Sequence, residues 1–247
     1  MSELRRAILS ESLKIKRTLA LRLAVLAPLF IVLLQTGVYL GRGEDLERAR
    51  ANPIVGFARG IVTLWTLVFL PFYATLAGAL VAGLDHHEHH WEQLFALPVR
   101  RRSVYASKWF VVVGLVVVSS VLLPMFTVLA ATGLKLVRHE WSSAAMPVGL
   151  LLNGPARSCA AALLLISVQF WFSLRWRSLM VPLAVGIAGI MSGIILITAP
   201  LRLLSVYPWT APAAAASPNQ PTLALVWGAT AGLIVGAASC WRLARRG

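Results

Sequence analysis

Six apolar runs dominate the chain, and each is long enough to cross a bilayer as one helix: about 23–40, 60–83, 109–133, Pro147–Leu174, 179–200 and 222–241. Spanning the hydrocarbon core takes about 20 mostly apolar residues, and backbone groups in lipid must be bonded within their own segment, so helix is the form such runs adopt. The fourth run is too long for a plain crossing and carries Asn153-Gly154-Pro155. Its span is expected to start near Pro155 and cover 155–174, with the preceding residues at the outer interface. Composition agrees: 58% of residues are hydrophobic and 13% charged, against about 45–50% and about 25% in soluble domains. The fold class predicted is all-α integral membrane, with six transmembrane helices making one domain of residues 1–247. The intervals between runs leave no room for a soluble domain. Pro28, Pro71, Pro124 and Pro182 fall inside runs and are expected as kinks, since neighbouring helices and Ser or Thr side chains can satisfy the carbonyls they free.

The formal charge of +14 would suit nucleic acid, but its distribution points to topology. Fifteen of the 23 Lys and Arg residues lie on one side if the amino terminus is cytoplasmic: six before the first run, Arg100–Arg102 and Lys108, Arg175 and Arg177, then Arg242, Arg245 and Arg246. The other side holds Arg42, Arg48, Arg50, Lys135, Arg138 and Arg202, diluted by Glu44, Asp45, Glu47 and Glu140. Cytoplasmic loops collect Lys and Arg, so both termini are expected in the cytoplasm and no nucleic-acid partner is needed. The first run is expected to be an uncleaved helix: "ARA" at 49–51 imitates a cleavage site, but the apolar stretch exceeds the usual about 7–15 residues. Ahead of it, residues 2–18 put Leu4, Ile8 and Ile15, with Leu19 following, on one face, the pattern of an interfacial amphipathic helix.

None of the nine acidic residues falls within a span. Proton-coupled carriers usually hold an Asp, Glu or His relay at membrane depth, and an embedded lipid-modifying enzyme needs convergent acids or histidines, so both alternatives lose support. Arg59 and Arg157 lie towards the outer ends of their runs, where they snorkel to headgroups or meet a substrate. Gln35, Asn153 and Gln169 are the remaining polar candidates for a pathway, and helix-to-helix hydrogen bonding is their ordinary use. "GIMSGI" (189–194) lacks the spacing of a serine nucleophile motif, and the small residues at 186, 189 and 193 suit close helix packing. Cys159 and Cys240 lie in spans and are expected to be unpaired.

Between the second and third runs stands "DHHEHHWEQLFALPVRRRS" (85–103). His87-Glu88 begins an H-E-x-x-H zinc motif, but Trp91 occupies the second histidine position, so no metal site is assigned despite His86 and His90 one turn apart. As a helix the segment sets Leu84, Trp91, Leu94 and Phe95 on one face and His86, His89, His90 and Gln93 on the other. Asp85 is placed to cap its start with Glu88 at the capping-box position, and Pro98 to stop it. A short cytoplasmic helix between the second and third spans is the expectation.

Four segments carry a family resemblance: "ESLKIKRTLALRLAVLAPLF" (11–30), "WEQLFALPVRRRSVYASK" (91–108), "VQFWFSLRWRSLMVPLAVGI" (168–187) and "YPW" (207–209). In this order they resemble the small six-helix permease subunits of ABC-type exporters, in particular those of lantibiotic immunity and bacitracin-type peptide resistance. The resemblance implies a bacterial inner (plasma) membrane protein that pairs with a second permease copy, in a homodimer or a related heterodimer. It implies a separate ABC ATPase and an amphipathic cargo such as a peptide antibiotic or lipid-like molecule. It also implies that the loop after the second helix docks into the ATPase, which here assigns coupling to Asp85, Glu88, Trp91, Glu92, Leu94, Phe95 and Pro98, with Arg100–Arg102 at the membrane edge. The histidine cluster is not part of that pattern. No G-x-x-x-x-G-K-[ST] phosphate loop occurs in the chain, so the chain itself is expected to bind no cofactor, ATP and Mg being held by the partner, and to be no enzyme.

Overall fold

The computed structural model describes residues 3–16, 18–48, 52–87, 101–176, 178–198, 201–217 and 222–246. Among the described residues there are helices and no strand. In chain order they are α1 (Glu3–Ile15), α2 (Leu19–Arg48), α3 (Pro53–Leu64), a π-helical turn (Trp65–Phe69), α4 (Leu70–His87), α5 (Arg101–Val137) and a 3₁₀ turn (His139–Trp141). There follow α6 (Val148–Ala161), α7 (Leu163–Arg175), α8 (Met180–Ile195) with a 3₁₀ end (Leu196–Thr198), α9 (Leu201–Val206), α10 (Ala211–Ala216) and α11 (Leu223–Arg246).

Five segments are long and apolar enough to cross a membrane: Leu19–Gly41, Pro53–Gly83, Arg102–Val137, Met180–Thr198 and Leu223–Arg242. The pair α6 and α7, bent by 43° at their junction, makes a sixth. The chain is thus an all-α integral membrane protein. Glu11 of α1 meets Lys108 of α5 and Gly236 of α11 lies against the adjacent Trp109, so α1 and the end of α11 share one end of the bundle.

The second span is the centre of the bundle. It is 61% buried where the first is 28%, and α4 packs against α2, α5, α7 and α8. It also starts earlier than its apolar run, at Pro53, because Asn52 caps the helix: its side-chain oxygen accepts from the Ile54 and Val55 N–H groups at 3.1 and 3.2 Å. Proline at the first helical position completes that start signal. Midway the helix widens into the π turn, where the Leu70 N–H reaches the Trp65 carbonyl, immediately before Pro71, whose ring has no N–H to offer.

Pro28 and Pro124 lie within continuous helices and Pro71 follows the π turn, while Pro182 stands in the first turn of α8, where a proline forfeits no helical hydrogen bond and makes no kink, contrary to expectation. One freed carbonyl has an identifiable rescue. Pro28 cannot donate to the Ala24 carbonyl one turn earlier, and Ser119 of α5 donates to that oxygen at 2.7 Å. This bond fastens α2 to α5 where the helix would otherwise present an unsatisfied acceptor to lipid.

The fourth span departs from expectation. Its helix starts at Val148, not near Pro155; Pro155 lies inside α6, and the break comes at Ala162. Gly154 explains how a proline-containing turn stays packed, since a Cβ there would come within 3.0 Å of Val62 on α3. The break is seated on α11: a Cβ on Gly232 would meet the backbone of Leu163 and Leu164 at 2.5 Å, and one on Gly228 would overlap the Ala161 carbonyl. Gly228, Gly232 and Gly236 form a small-residue stripe at four-residue spacing that lets the backbones of two spans meet. Ser167 of α7 locks the junction, donating to the Gly232 carbonyl at 2.7 Å and accepting the Trp109 indole N–H at 3.0 Å. Ser167→Ala leaves the Trp109 N–H without its acceptor and is expected to lower stability by about 1–3 kcal/mol, read as a lower melting midpoint of helicity in detergent; an unchanged midpoint would show that the three-helix junction does not depend on it.

Between the fifth and sixth spans the chain forms two short helices, α9 and α10, that cover α6 and α11. Trp209 is buried there against Gly189, and Thr210 lies over Gly193. The small residues of α8 therefore do serve close packing, as their spacing predicts, but part of what they receive is this outer cap and not another span.

Candidate functional site

At the end of the bundle that carries the termini, α1 lies against α5. Its inward face is Leu4, Ile8, Glu11 and Ile15, with Glu11 and Ile15 buried. Leu19 belongs to α2 and is exposed. A carboxylate occurs in the middle of an apolar face because Lys108 of α5 meets it: the Lys108 ammonium donates to Glu11 at 2.7 Å, with the lysine side chain fully buried, and Lys14 donates to the other carboxylate oxygen at 3.0 Å. Lys108 thus serves as an internal strut as well as counting among the basic residues of this side. It stands two turns inside α5, which starts at Arg101, so α1 is tied to the helix that leads out of the 88–100 segment.

Of the coupling residues assigned from sequence, Glu88, Trp91, Glu92, Leu94, Phe95 and Pro98 lie outside the described residues, as do His89 and His90. Asp85 lies inside α4, which runs on to His87. It is therefore not the N-cap of a separate helix, because a capping residue has non-helical backbone angles. The helix continues past the apolar run since nothing in Leu84-Asp85-His86-His87 opposes helical geometry.

The polar residues assigned to a pathway are not all brought together. Gln35 of α2 lies over Gly60 of α3, where a Cβ would stand 2.5 Å from its amide nitrogen. Gln169 of α7 is fully buried between Thr75 of α4 and Gly186 of α8. Neither of its amide heavy atoms bonds to a described residue, contrary to the expected helix-to-helix hydrogen bond. The neighbouring Thr75 hydroxyl is spent on the Pro71 carbonyl at 2.9 Å. Arg59, Asn153 and Arg157, by contrast, do converge. They line one cavity of about 320 Å³ between α3, α6 and the end of α10, at the opposite end of the bundle from α1. Asn153 also lines a larger groove of about 1070 Å³ between α5 and α6.

Two side readings are settled locally. The Ser192 hydroxyl donates to the Ala188 carbonyl at 2.8 Å and lies 2.6 Å from the Tyr207 hydroxyl, an arrangement that packs α8 against the outer cap. Cys159 and Cys240 are free thiols.

A bundle of apolar helices long enough to cross a membrane, with an ion-paired amphipathic helix packed at one end and no soluble domain among the described residues, defines a polytopic α-helical membrane protein. The family model for ABC-2 family transporter proteins matches residues 7–193, from within α1 into the fifth span, and the chain belongs to that family. No curated protein and no solved structure matches it significantly. Membership makes the chain the membrane component of an ABC transporter, with an ABC ATPase as partner and transport as its task. The four-residue glycine stripe of α11 and the Asn52-Pro53 start of α3 were both readable signals that the apolar runs alone do not reveal.

Proposed function

We propose that this chain is the permease subunit of an ATP-driven exporter, working as two copies above two ATPase subunits in a bacterial inner membrane. The observation that carries the proposal is the family match across residues 7–193, which takes in the segment joining the second and third spans. In this reading residues 85–98 are the element gripped by the ATPase, with Trp91 and Phe95 as apolar anchors and Glu88 and Glu92 beside them. ATP and magnesium stay on the partner, and the chain supplies the path and the movement. A rigid element between two rigid bodies transmits a displacement, and α1 is placed to share it, because the Glu11–Lys108 pair joins α1 to the helix leaving that segment. A cargo with an apolar body suits a bundle whose wide groove between α5 and α6 is lined almost wholly by aliphatic side chains. Resistance to, or immunity against, an amphipathic peptide is the physiological setting that fits.

The test is co-purification. Trp91→Ala/Phe95→Ala should reduce ATPase recovery with the tagged permease by about tenfold or more, as loss of two aromatic anchors does at an interface, while membrane insertion and helicity stay at wild-type levels. Recovery of the ATPase at wild-type strength by a correctly inserted double variant would refute the coupling assignment.

A further inference from the structure

Arg59 of α3 and Arg157 of α6 line one cleft at the end of the bundle opposite α1. Arg59 is six residues into its helix and Arg157 nine into α6, which at a rise of about 1.5 Å per residue places their backbones roughly 9 and 13 Å below the helix starts. Two guanidinium-bearing residues on different helices open into the same cavity of about 320 Å³, joined by Asn153 and Ser217, and none of the described residues lining it is acidic. The planar fork of arginine matches phosphate oxygens two at a time. On the other side of Asn153 runs the groove of about 1070 Å³, with Val121, Met125, Val148, Leu152 and Leu163 in its walls. A cationic cleft next to a long apolar trough, sharing one amide side chain, is complementary to one kind of molecule: an anionic head on a hydrocarbon chain. Both spaces reach the scale of about 300–1,000 Å³ typical of ligand sites.

We infer that the chain binds an anionic phospholipid here, its phosphate between Arg59 and Arg157 and one acyl chain crossing Asn153 into the groove between α5 and α6. This rests on the membrane embedding of the chain and not on the exporter reading, so it stands or falls separately from the ATPase pull-down. Snorkelling alone would let each arginine find any headgroup; convergence on one cleft makes the contact selective and stoichiometric.

The full-length chain, purified in detergent and titrated with dioleoyl phosphatidylglycerol or dioleoyl phosphatidylcholine, should retain one phosphatidylglycerol per chain in native mass spectrometry and prefer it at least about tenfold over phosphatidylcholine. Arg59→Gln, and more strongly Arg59→Gln/Arg157→Gln, should lower that retention by about tenfold, whereas the double lysine variant keeps part of it. Leu152→Trp, at an exposed position of α6, should fill the groove and weaken retention without loss of helicity. Equal retention of the two lipids, or phosphatidylglycerol retention unaffected by Arg59→Gln in a fully helical protein, overturns the site. Displacement of the lipid by millimolar inorganic phosphate assigns the cleft to free anions and also overturns it. A Leu152→Trp variant that loses self-association but still holds the lipid gives the groove to a second copy of the chain, and the lipid site is overturned in that case too.

Discussion

Lys108→Met is expected to release α1 from the bundle. The ammonium of Lys108 is fully buried and the Glu11 side chain 4% exposed, so removing the lysine leaves a carboxylate in an apolar interface with Lys14 beside it at 3.0 Å. Losing one partner of a buried pair costs about 3–5 kcal/mol, and the remaining lysine holds this case near 3 kcal/mol. Trypsin reports it directly: cleavage after Lys14 and Lys16 should accelerate strongly while the spans remain protected. The companion variant Glu11→Leu/Lys108→Met removes both charges and is expected to recover much of the loss, since replacing a buried pair by apolar side chains is often neutral. Unchanged proteolysis in Lys108→Met would show that α1 is held by its apolar face alone. Because α5 leaves the segment that faces the ATPase in the proposed assembly, the same variant should also weaken coupling of ATP hydrolysis to transport.

Gly232→Val is the second large effect. Its Cβ would stand 2.5 Å from the backbone of Leu163 and Leu164, and backbone cannot step aside as a side chain can. The spans must separate, breaking the Ser167 bond to the Gly232 carbonyl and opening the contact that supports the bend in the fourth span. Overpacking of this kind costs about 1–3 kcal/mol, with loss of the buried hydrogen bond adding about 1 kcal/mol. Gly114→Ala is the control: a Cβ there meets nothing within 4 Å, and alanine in a helix interior is favoured over glycine by about 0.5–1 kcal/mol. Thermal unfolding should therefore move in opposite directions for the two variants. A Gly232→Val protein as stable as wild type would mean that α11 does not rest on the break.

The two expectations about polar residues diverged for a physical reason. Arg59 is far in sequence from Asn153 and Arg157, and nothing in their spacing says that α3 and α6 meet. Each alone reads as a residue near the outer end of its helix, and only packing of Gly154 against Val62 brings the three to one cavity. Gln169 shows the converse. Its amide is buried as a packing polar group should be, yet the hydroxyl of Thr75, which shares the space over Gly186 with it, is taken by the Pro71 carbonyl of the same helix as that threonine. Glu11 is the clearest such case: as a letter in an amphipathic pattern it breaks the apolar face, and its position makes sense only beside Lys108, 97 residues later.

Residue order alone was enough for the solvent and for the helical form of the apolar runs, because lipid imposes those rules segment by segment: a long apolar run must become a helix whatever its neighbours are. It was enough, too, for the family. The break in the fourth span, the partner of Lys108 and the cavity shared by two arginines depended on which helices touch. Those contacts are set by small residues meeting backbone and by single buried polar pairs, and such interactions are properties of two segments at once, which no pattern within either one contains.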